Sequence, residues 1–366
     1  MAKRAKILRP QLEEGRRILV ISDIHGNLPY LKGVLQKAEF CPEDYLVIDG
    51  DFLEKGEHSL DTLHFIMELY RQGNCFVVRG NCDGWGPLIK EPQSDERYER
   101  TFGYIKWKKG GLLWDMCMGC GVNPLEYDSL RALVPILLEN YPEEFDFLYN
   151  SPSAIEIENF IFAHAGMTPG KDLDNQDRLE LDRCDGLLFK DWSYEKWLIV
   201  GHWPVMLYGT DTVCANPIIN RDKKIVSIDG GCVLKDDGQL NALIIPHKFS
   251  EDFDFVAYDP FPERTVLSDQ EEGERSYYIR WGDSDVQVLE RGEEFSLCRH
   301  VRTGYEMKIL TKYLFTDEEI TGCNDCTDYI LPLRKGDRVR LVETTSRGYF
   351  VKHRGVSGWY YGELEE

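Results

Sequence analysis

The chain has 366 residues, enough for two or three domains, and its 42% hydrophobic and 29% charged content is that of a globular protein. Its net charge of −21, from 64 acidic and 43 basic residues, opposes binding to nucleic acid and to anionic membranes, so any affinity for phosphate must be local. The sequence contains no apolar run long enough to cross a membrane and no apolar segment after its basic start, and its 11 scattered cysteines favour a reducing compartment, so we expect a cytoplasmic protein.

Strand-type and helix-type segments alternate in the first part of the chain. Apolar runs predict strands over residues 18–21, 45–48, 75–78, 160–162, 197–200, 225–228 and 240–245. Apolar residues at helical spacing predict helices over 28–40 and 59–70, with Ser59 as the N-cap of the second helix. This alternation predicts an α/β domain over residues 1–250, into which a lid is inserted at about 86–153.

The composition changes after residue 250. Residues 251–276 hold Asp, Glu and Pro without periodicity, which predicts a linker. From residue 277, short strand-type segments separated by turn residues predict an all-β region with small modules over 277–316 and 317–366. Residues 282–290 resemble residues 336–343, which indicates a duplicated β unit.

Polar clusters follow the predicted strands at the points where ligands collect at the carboxyl edge of a sheet. The clusters are Asp23-Ile-His25, Gly50-Asp51, Gly80-Asn81-Cys82-Asp83, His164-Ala-Gly166 and Gly201-His202. Asp23 and His25 are two residues apart, so at the end of an extended strand both side chains can reach one cation. Asp51 can bridge two cations because a carboxylate has two oxygens. We therefore predict a two-metal site whose ligands are Asp23, His25, Asp51, Asn81, His164 and His202.

The predicted ligand set favours phosphate-ester hydrolysis. Carboxylate, amide and imidazole ligands suit two divalent ions, with manganese preferred and iron or zinc as alternatives. Two such ions about 3.5–4 Å apart can share a hydroxide and polarise the phosphoryl oxygens, so that the hydroxide attacks phosphorus directly. Arg79 directly precedes Gly80 and Asn81, and its planar guanidinium suits a phosphate. The alternative for Arg79 is a structural ion pair with one of the many carboxylates.

The same motifs resemble the calcineurin-like metallophosphoesterase superfamily, in particular its branch of serine/threonine protein phosphatases and diadenosine-tetraphosphate hydrolases. The resemblance covers about residues 16–246 and rests on residues 22–27, 49–56, 78–83, 162–166, 200–202 and 227–232. It implies a sandwich of two sheets flanked by helices. It also implies that Asp23, His25 and Asp51 hold one metal ion, and that Asp51 with Asn81, His164 and His202 holds the other.

The chain departs from this branch at three positions. Cys82 occupies the place of a histidine that protonates the leaving group or stabilises the transition state, and Glu54 occupies the place of its partner Asp. Lys55 stands where the branch has a second phosphate-binding arginine. A thiol is a poor hydrogen-bond donor, so activity on esters with poor leaving groups is expected to be weak. The alternative for Cys82 is a small residue tolerated beside the metal ions.

Candidate roles follow from these positions. We assign catalysis to Asp51, Arg79, Asn81, Cys82 and Asp83, and substrate binding to Lys55, Arg79 and Asn81.

The C-terminal residues resemble bacterial Src-homology-3-like barrels over the stretches 335–343 and 356–364. Such modules bind peptides or cell-wall glycans in aromatic grooves, for which Trp359, Tyr360 and Tyr361 are the candidates. The alternative is that some of these aromatic side chains fill a small core.

The sequence thus predicts a two-metal phosphoesterase with a C-terminal β region. The first-ranked substrate is a phosphomonoester, with protein phosphoserine or phosphothreonine suggested by the resemblance. A dinucleoside-polyphosphate hydrolase or phosphodiesterase is the alternative within enzymes. A phosphate-binding sensor or scaffold with little catalytic activity is the alternative from another class.

Overall fold

A computed structural model describes residues 5–317 and 320–365, which form two compact units. The first unit contains the described residues up to Trp203, then Pro217–Leu234 and Gly238–Asp259. The second contains Pro204–Asn216, Lys235–Asp237 and the described residues from Pro260 onward. Within the described residues, no helix combines the length and the apolar character that crossing a lipid bilayer requires.

One sheet of the first unit carries the three N-terminal predicted strands side by side. Its order is Asp254–Tyr258, Leu240–Ile245, Ile18–Ile21, Tyr45–Asp49 and Cys75–Val78. The last three strands are parallel and are joined by the helices Leu28–Lys37 and Ser59–Arg71. These two helices and the predicted strands are confirmed. The N-cap prediction is wrong by one residue: His58 is the N-cap, and Ser59, the first residue of the helix, accepts a hydrogen bond from Glu54 N at its Oγ, at 3.1 Å.

The other sheet of the first unit collects the later strands. Its order is Ile7–Leu8, Ala154–Ile157, Phe160–Phe162, Trp197–Val200, Ile225–Ser227 and Ile218–Asn220. Phe160–Phe162 and Trp197–Val200 run parallel, so the loops that follow them leave the same edge of the sheet. Short helical segments follow at Leu173–Asn175, Arg178–Asp182 and Leu187–Phe189.

The side chains of the strands alternate between two apolar layers, as the two-residue period of a strand requires. Ile18 and Val20 point into a cluster shared by both sheets, together with Phe160 and Phe162 of the second sheet. Leu19, on the opposite face of its strand, packs into the cluster formed with the helices. A third cluster covers the other face of the second sheet. The predicted α/β arrangement, two facing sheets flanked by helices, is therefore confirmed.

The stretch predicted to be an inserted lid is helical. Its helices are Trp85–Lys90, Asp95–Lys108, Leu112–Gly119, Leu130–Asn140 and Pro142–Asn150, with a short 3₁₀ turn at Pro124–Glu126, and another 3₁₀ turn at Asn81–Asp83 precedes the stretch. They pack into the same apolar cluster as the first two helices of the chain, so they belong to the folded first unit. The action of this segment as a lid stays a prediction.

Residues 251–276, predicted to be a linker, contain two strands. Asp254–Tyr258 pairs antiparallel with Leu240–Ile245, and Glu263–Thr265 pairs antiparallel with Arg338–Thr345. Both strands form because a distant or preceding strand supplies hydrogen bonds, although their own sequences lack a clear alternation. The two compact units divide between Asp259 and Pro260, inside this stretch.

The second unit is almost entirely β. Its largest sheet has the order Glu263–Thr265, Arg338–Thr345, Gly348–His353, Val356–Tyr360 and Val213–Cys214. Its other strands are Tyr278–Ile279, Val286–Glu290, Phe295–His300, Glu306–Leu310, Leu314–Asp317, Ile320–Cys323 and Cys326–Thr327, with 3₁₀ turns at Val205–Tyr208 and Thr311–Tyr313. Src-homology-3-like barrels are not confirmed. The sheet takes its edge strands from residues 213–214 and 263–265, outside the predicted module 317–366, so that module is not self-contained.

The two stretches that resemble each other in sequence adopt the same local structure. Each supplies the first strand of a three-stranded antiparallel meander. In each first strand the register shifts, between Val288 and Glu290 in one and between Leu341 and Glu343 in the other. A shared bulge at the corresponding place supports the predicted duplication, because bulges mark specific positions in a strand rather than random irregularities.

The three C-terminal aromatic candidates have different environments. Tyr360 is fully buried, and its hydroxyl donates to the Ser268 carbonyl at 2.9 Å. Trp359 is mostly buried and donates from Nε1 to the Thr327 carbonyl at 2.8 Å. Tyr361 is exposed. Tyr360 therefore fills the core of this unit, as the alternative interpretation held, and a peptide or glycan ligand stays a prediction.

Candidate metal centre

The predicted metal ligands follow strands whose carboxyl ends meet. Asp23 and Asp51 follow adjacent parallel strands of one sheet, while His164 and His202 follow adjacent parallel strands of the other. Backbone hydrogen bonds join the loops: His25 N donates to the Asp51 carbonyl at 2.9 Å, and Gly201 N donates to the His164 carbonyl at 2.8 Å. The two sheets therefore bring residues more than a hundred positions apart in sequence to one place.

Two groups of ligand-type side chains share Asp51. The ligand atoms of Asp23, Asp51 and His164 all lie within 4.8 Å of one another, and so do those of His25, Asp51 and Cys82. In addition, His25 Nε2 lies 3.7 Å from Asp23 Oδ1. The structure thus places Asp51 at the centre, where a shared carboxylate was predicted. Cys82 enters a ligand group that the sequence analysis did not assign to it.

Ring nitrogens of two buried histidines, His164 and His25, fit a cation site. His164 Nδ1 lies 3.0 Å from the Asp49 carbonyl, which fixes its proton there and leaves Nε2 free, 3.4 Å from Asp51 Oδ1. Within the described residues, His164 Nε2 and both ring nitrogens of His25 have no hydrogen-bond partner. Buried polar atoms are nearly always paired, so these nitrogens indicate a binding site for a cation. The donor set therefore fits a divalent metal ion.

Asn81 and His202 lie beside these groups and face each other. When the Asn81 amide is oriented so that both of its polar atoms are satisfied, its nitrogen donates to His202 Nδ1 at 2.8 Å and its oxygen accepts from Cys82 N at 3.2 Å. The other ring nitrogen of His202, Nε2, lies 2.9 Å from Asp185 Oδ1. The rings of His164 and His202 have their centroids 5.3 Å apart. The assignment of Asn81, His164 and His202 to the second metal ion stays a prediction.

The charges of the buried groups are mutually dependent. Burial lowers the pKa of His25 to about 4, so this imidazole is neutral, which is the form that binds a metal ion. Burial, with Asp229 adding to it, raises the pKa of Asp23 well above its usual value. Burial alone would lower the pKa of His164, but the nearby carboxylates of Asp51 and Asp23 outweigh it and raise the pKa. This carboxylate cluster attracts positive charge, and a divalent cation would supply it.

Several predicted ligands have left-handed backbone conformations. The φ angles are 54° at Asp23, 53° at His25, 48° at Asp51 and 66° at His202. Such conformations are uncommon for residues other than glycine and cost about 1–3 kcal/mol each when they are sparsely populated. Their concentration in one place is typical of a functional site, where surrounding structure holds the backbone against its preference.

Glycines beside the ligands leave room for the carboxylates. A Cβ atom on Gly80 would lie 2.2 Å from Asp51 Oδ1, and one on Gly201 would lie 2.1 Å from Asp23 Oδ2. Neither distance is compatible with the observed position of the carboxylate. These two glycines therefore determine where Asp51 and Asp23 lie.

The Gly80→Ala variant is expected to lose bound metal, because the added methyl group displaces the Asp51 carboxylate. We expect manganese affinity to fall at least about tenfold, the range seen when groups that orient metal ligands are lost. Titration of the metal-depleted protein with manganese measures this affinity. Gly84→Ala is the matched control, since a Cβ at Gly84 meets no atom within 4 Å. Equal manganese affinity in both variants would contradict the prediction.

Asp83 has a structural environment. It is fully buried and accepts hydrogen bonds from Gly80 N at 2.8 Å and Leu53 N at 3.1 Å. Burial, with Asp51 adding to it, raises its pKa to about 8. Asp83 therefore ties the loop that carries Asn81 to the loop that carries Asp51, which is a positioning contact. Its predicted catalytic role stays a prediction.

Arg79 lies in a buried ion pair. Its Nη2 donates to Asp182 at 3.0 and 3.3 Å, and the Arg178 guanidinium lies 3.7 Å from the same carboxylate. This is the alternative interpretation of Arg79 from the sequence. A contact between Arg79 and phosphate stays a prediction, and it would require atoms of the guanidinium that Asp182 does not occupy. Lys55 is exposed, so its predicted contact with phosphate also stays a prediction.

Cys82 and Glu54, two positions at which the chain departs from the family branch, form hydrogen bonds within the protein. Cys82 N donates to Asp51 Oδ1 at 2.7 Å, and burial, with Asp51 adding to it, raises the pKa of the Cys82 thiol well above its usual value. The Glu54 carboxylate accepts hydrogen bonds from Leu112 N at 2.9 Å and Tyr104 Oη at 3.2 Å, and it lies 3.4 Å from Lys108 Nζ. Glu54 therefore holds the helical insertion.

The sequence analysis missed three acidic residues of the site. Asp182 binds Arg79, Asp185 binds His202, and the Asp49 carbonyl orients His164. Asp49 directly precedes a predicted ligand loop, and that position was the available signal. Asp182 ends the short helix Arg178–Asp182 and Asp185 lies in the loop after it, so only the folded chain shows which of its many carboxylates reach the site.

Comparison with known proteins defines the class. Residues 16–228 match the model of the family described as calcineurin-like phosphoesterase. The chain therefore belongs to the calcineurin-like phosphoesterase family, and it is a metal-dependent phosphoric ester hydrolase.

The individual relatives share low sequence identity with this chain. The chain is 25% identical over 272 residues to a symmetrical bis(5'-nucleosyl)-tetraphosphatase of Marinomonas sp. (strain MWYL1), a match that spans 61% of this chain and 92% of that protein. It is 24% identical over 242 residues to the asymmetrical bis(5'-nucleosyl)-tetraphosphatase PrpE of Bacillus velezensis, spanning 58% of this chain and 84% of that protein. A solved metallophosphoesterase from Sphaerobacter thermophilus shares 16% identity and a TM-score of 0.38 over 67% of this chain and 89% of that chain.

Proposed function

We propose that this enzyme hydrolyses dinucleoside polyphosphates at a two-metal centre held by Asp23, His25, Asp51, Asn81, His164 and His202. The observation that carries the proposal is the chemistry beside Asn81. At the position where the family branch has a histidine, the chain has the Cys82 thiol, which is a poor hydrogen-bond donor. The nearby Glu54 carboxylate is engaged by the helical insertion. The site is therefore poor in groups that can give a proton to a leaving group.

The leaving groups of the two substrate classes differ in their need for that proton. Hydrolysis of a serine or threonine phosphate expels an alkoxide, a strong base that needs a proton in the transition state. Hydrolysis of a phosphoanhydride expels a nucleotide phosphate, a weak base whose conjugate acid has a pKa of about 6. A site without a good general acid therefore favours the phosphoanhydride. The named activities of the relatives from Marinomonas and Bacillus support the same class of substrate.

The side chains of this chain perform orienting roles in the proposed reaction. Two bound divalent cations would supply Lewis acidity toward the phosphoryl oxygens and lower the pKa of a water molecule to near 7. The Asp49 carbonyl keeps His164 in the tautomer that presents Nε2. Asp185 holds the ring of His202, and Asp83 fixes the loop of Asn81. These contacts preorganise the site, so little rearrangement is needed when substrate binds.

Protein phosphoserine and phosphothreonine, ranked first from the sequence, become the second candidate. The position of Arg79 supports these substrates as a candidate. Its guanidinium is buried close to Asn81 and could contact a phosphate if its ion pair with Asp182 opens. A sensor without turnover is not favoured, because the chain belongs to a family of hydrolases and Asp23, His25, Asp51 and His164 belong to two groups of ligand-type side chains.

A substrate panel with manganese tests the proposal. Diadenosine tetraphosphate, a phosphoserine peptide, an aryl phosphomonoester and an aryl phosphodiester are compared by kcat/KM under identical conditions. We expect kcat/KM for diadenosine tetraphosphate to exceed that for the phosphoserine peptide at least about a hundredfold, the contribution of a general acid. Chromatography of the products separates two ADP from ATP plus AMP, and either pair supports the proposal. A higher kcat/KM for the phosphoserine peptide would contradict it.

A further inference from the structure

A pocket of about 430 Å³ opens beside the candidate metal centre, within the first compact unit. Its wall includes His202 and Asp185, which are hydrogen-bonded to each other at 2.9 Å. The rest of the lining is formed by Met167, Thr168, Glu180, Arg183, Cys184, Lys190 and Trp192. A group bound in this pocket would therefore lie next to a predicted metal ligand.

The pocket is lined by two acidic and two basic side chains. Both acidic residues are paired: Glu180 lies 3.3 Å from Lys171 Nζ, and Asp185 is bonded to His202. Within the described residues, neither Arg183 nor Lys190 has a carboxylate at ion-pair distance. Arg183 and Lys190 are therefore available to an anionic ligand at this place.

The pocket also has an apolar, aromatic part. Trp192 is half-buried and packs against the same apolar cluster as the buried Met167. Lys190 Nζ lies 5.1 Å from the centre of the Trp192 ring, so the ammonium group and the indole form one surface. An indole face accepts a stacked nucleobase, because every base has a flat aromatic face.

We propose that this pocket is a nucleotide subsite, in which Trp192 stacks on the base and Arg183 and Lys190 bind phosphate groups that lead toward His202. The inference rests on the proposed function, because it assigns one nucleotide of a dinucleoside polyphosphate to this pocket. It explains how a strongly acidic chain binds a strongly anionic substrate. It also identifies Trp192 and Arg183 as residues that determine specificity for nucleotides over small phosphate esters.

Binding of a nucleotide that cannot be hydrolysed tests the subsite. The probe is α,β-methylene ADP, titrated into the manganese-loaded protein and followed by calorimetry. We expect Trp192→Ala and Arg183→Ser each to raise the Kd at least about tenfold, with Trp192→Phe restoring most of the affinity because phenylalanine keeps an aromatic face. Trp281→Ala is the matched control, since Trp281 is an exposed tryptophan of the second unit. Arg183 is exposed, so Arg183→Ser is expected to fold normally.

The outcomes separate this inference from the proposed function. Failure of the wild-type protein to bind the probe, or an unchanged Kd in both Trp192→Ala and Arg183→Ser, overturns the subsite. If wild-type protein hydrolyses diadenosine tetraphosphate while these variants bind the probe normally, the subsite is wrong and the function stands. If the variants bind the probe more weakly but wild-type protein does not hydrolyse diadenosine tetraphosphate, the subsite stands and the proposed function is wrong.

Discussion

The Asp51→Asn variant is expected to lose its bound metal and at least about a thousandfold of its activity on an aryl phosphate. Asp51 belongs to both groups of ligand-type side chains, so its loss removes the carboxylate that two cations would share. An amide is neutral and leaves the nearby imidazoles without their counter-charge. Loss of outer-shell groups costs about 10–100-fold in affinity or activity, and a shared ligand is expected to cost more.

Metal analysis after manganese loading and dialysis, together with an aryl phosphate assay, measures the effect of Asp51→Asn. The aryl leaving group scarcely needs a proton, so this assay reports on the metal centre alone. Asp254→Asn is the matched control, because Asp254 is an exposed carboxylate at the start of a strand in the same unit. Retention of both metal and activity in Asp51→Asn would show that the convergence of these side chains is structural.

The second large effect is expected at Cys82. The Cys82→His variant is expected to hydrolyse a phosphoserine peptide faster than the wild-type protein, by about tenfold to a hundredfold. General acid catalysis contributes about 10²–10⁴-fold, and an imidazole can give a proton that a thiol, a poor hydrogen-bond donor, does not. The expected increase in rate is smaller than the full contribution of a general acid, because Glu54 is engaged by Tyr104 and Leu112 and cannot orient the new ring.

The comparison of two leaving groups isolates the effect of the imidazole. The ratio of kcat/KM for the phosphoserine peptide to that for an aryl phosphate is expected to rise in Cys82→His and to fall again above the pKa of the introduced imidazole. Cys82→Ser is the control, because a hydroxyl of similar size supplies no acid of suitable pKa. An unchanged or lower ratio in Cys82→His would falsify the idea that a missing acid limits the enzyme.

Local patterns were sufficient to predict the sheets of the first unit. The runs at Ile18–Ile21, Cys75–Val78 and Trp197–Val200 are short, apolar and rich in β-branched residues, and polar or glycine residues follow them, which favours strands over helices. The proximity of Asp23 and Asp51 follows from their adjacent parallel strands, which place their carboxyl ends together, whereas His164 reaches them only because the second sheet packs against the first.

Long-range pairing was not predictable from the sequence. Asp182 lies 103 residues from Arg79, and many other carboxylates could have taken its place. Two edge strands of the second unit, Val213–Cys214 and Glu263–Thr265, are too short to be predicted from a sequence pattern. They form because the longer strands Val356–Tyr360 and Arg338–Thr345 offer free edges for pairing. The engagement of Glu54 by Leu112 depends on the packing of the helical insertion, which local periodicity does not determine.

The left-handed backbone at Asp23, His25, Asp51 and His202 has an evolutionary consequence. Glycine adopts this conformation without steric penalty, so a change to glycine at any of these positions relieves backbone strain while it removes a ligand-type side chain. Selection for heat resistance alone would therefore erode the site, and only selection for turnover maintains it. Ancestors or engineered libraries of this chain that gain thermal tolerance at these four positions are expected to do so by giving up hydrolysis.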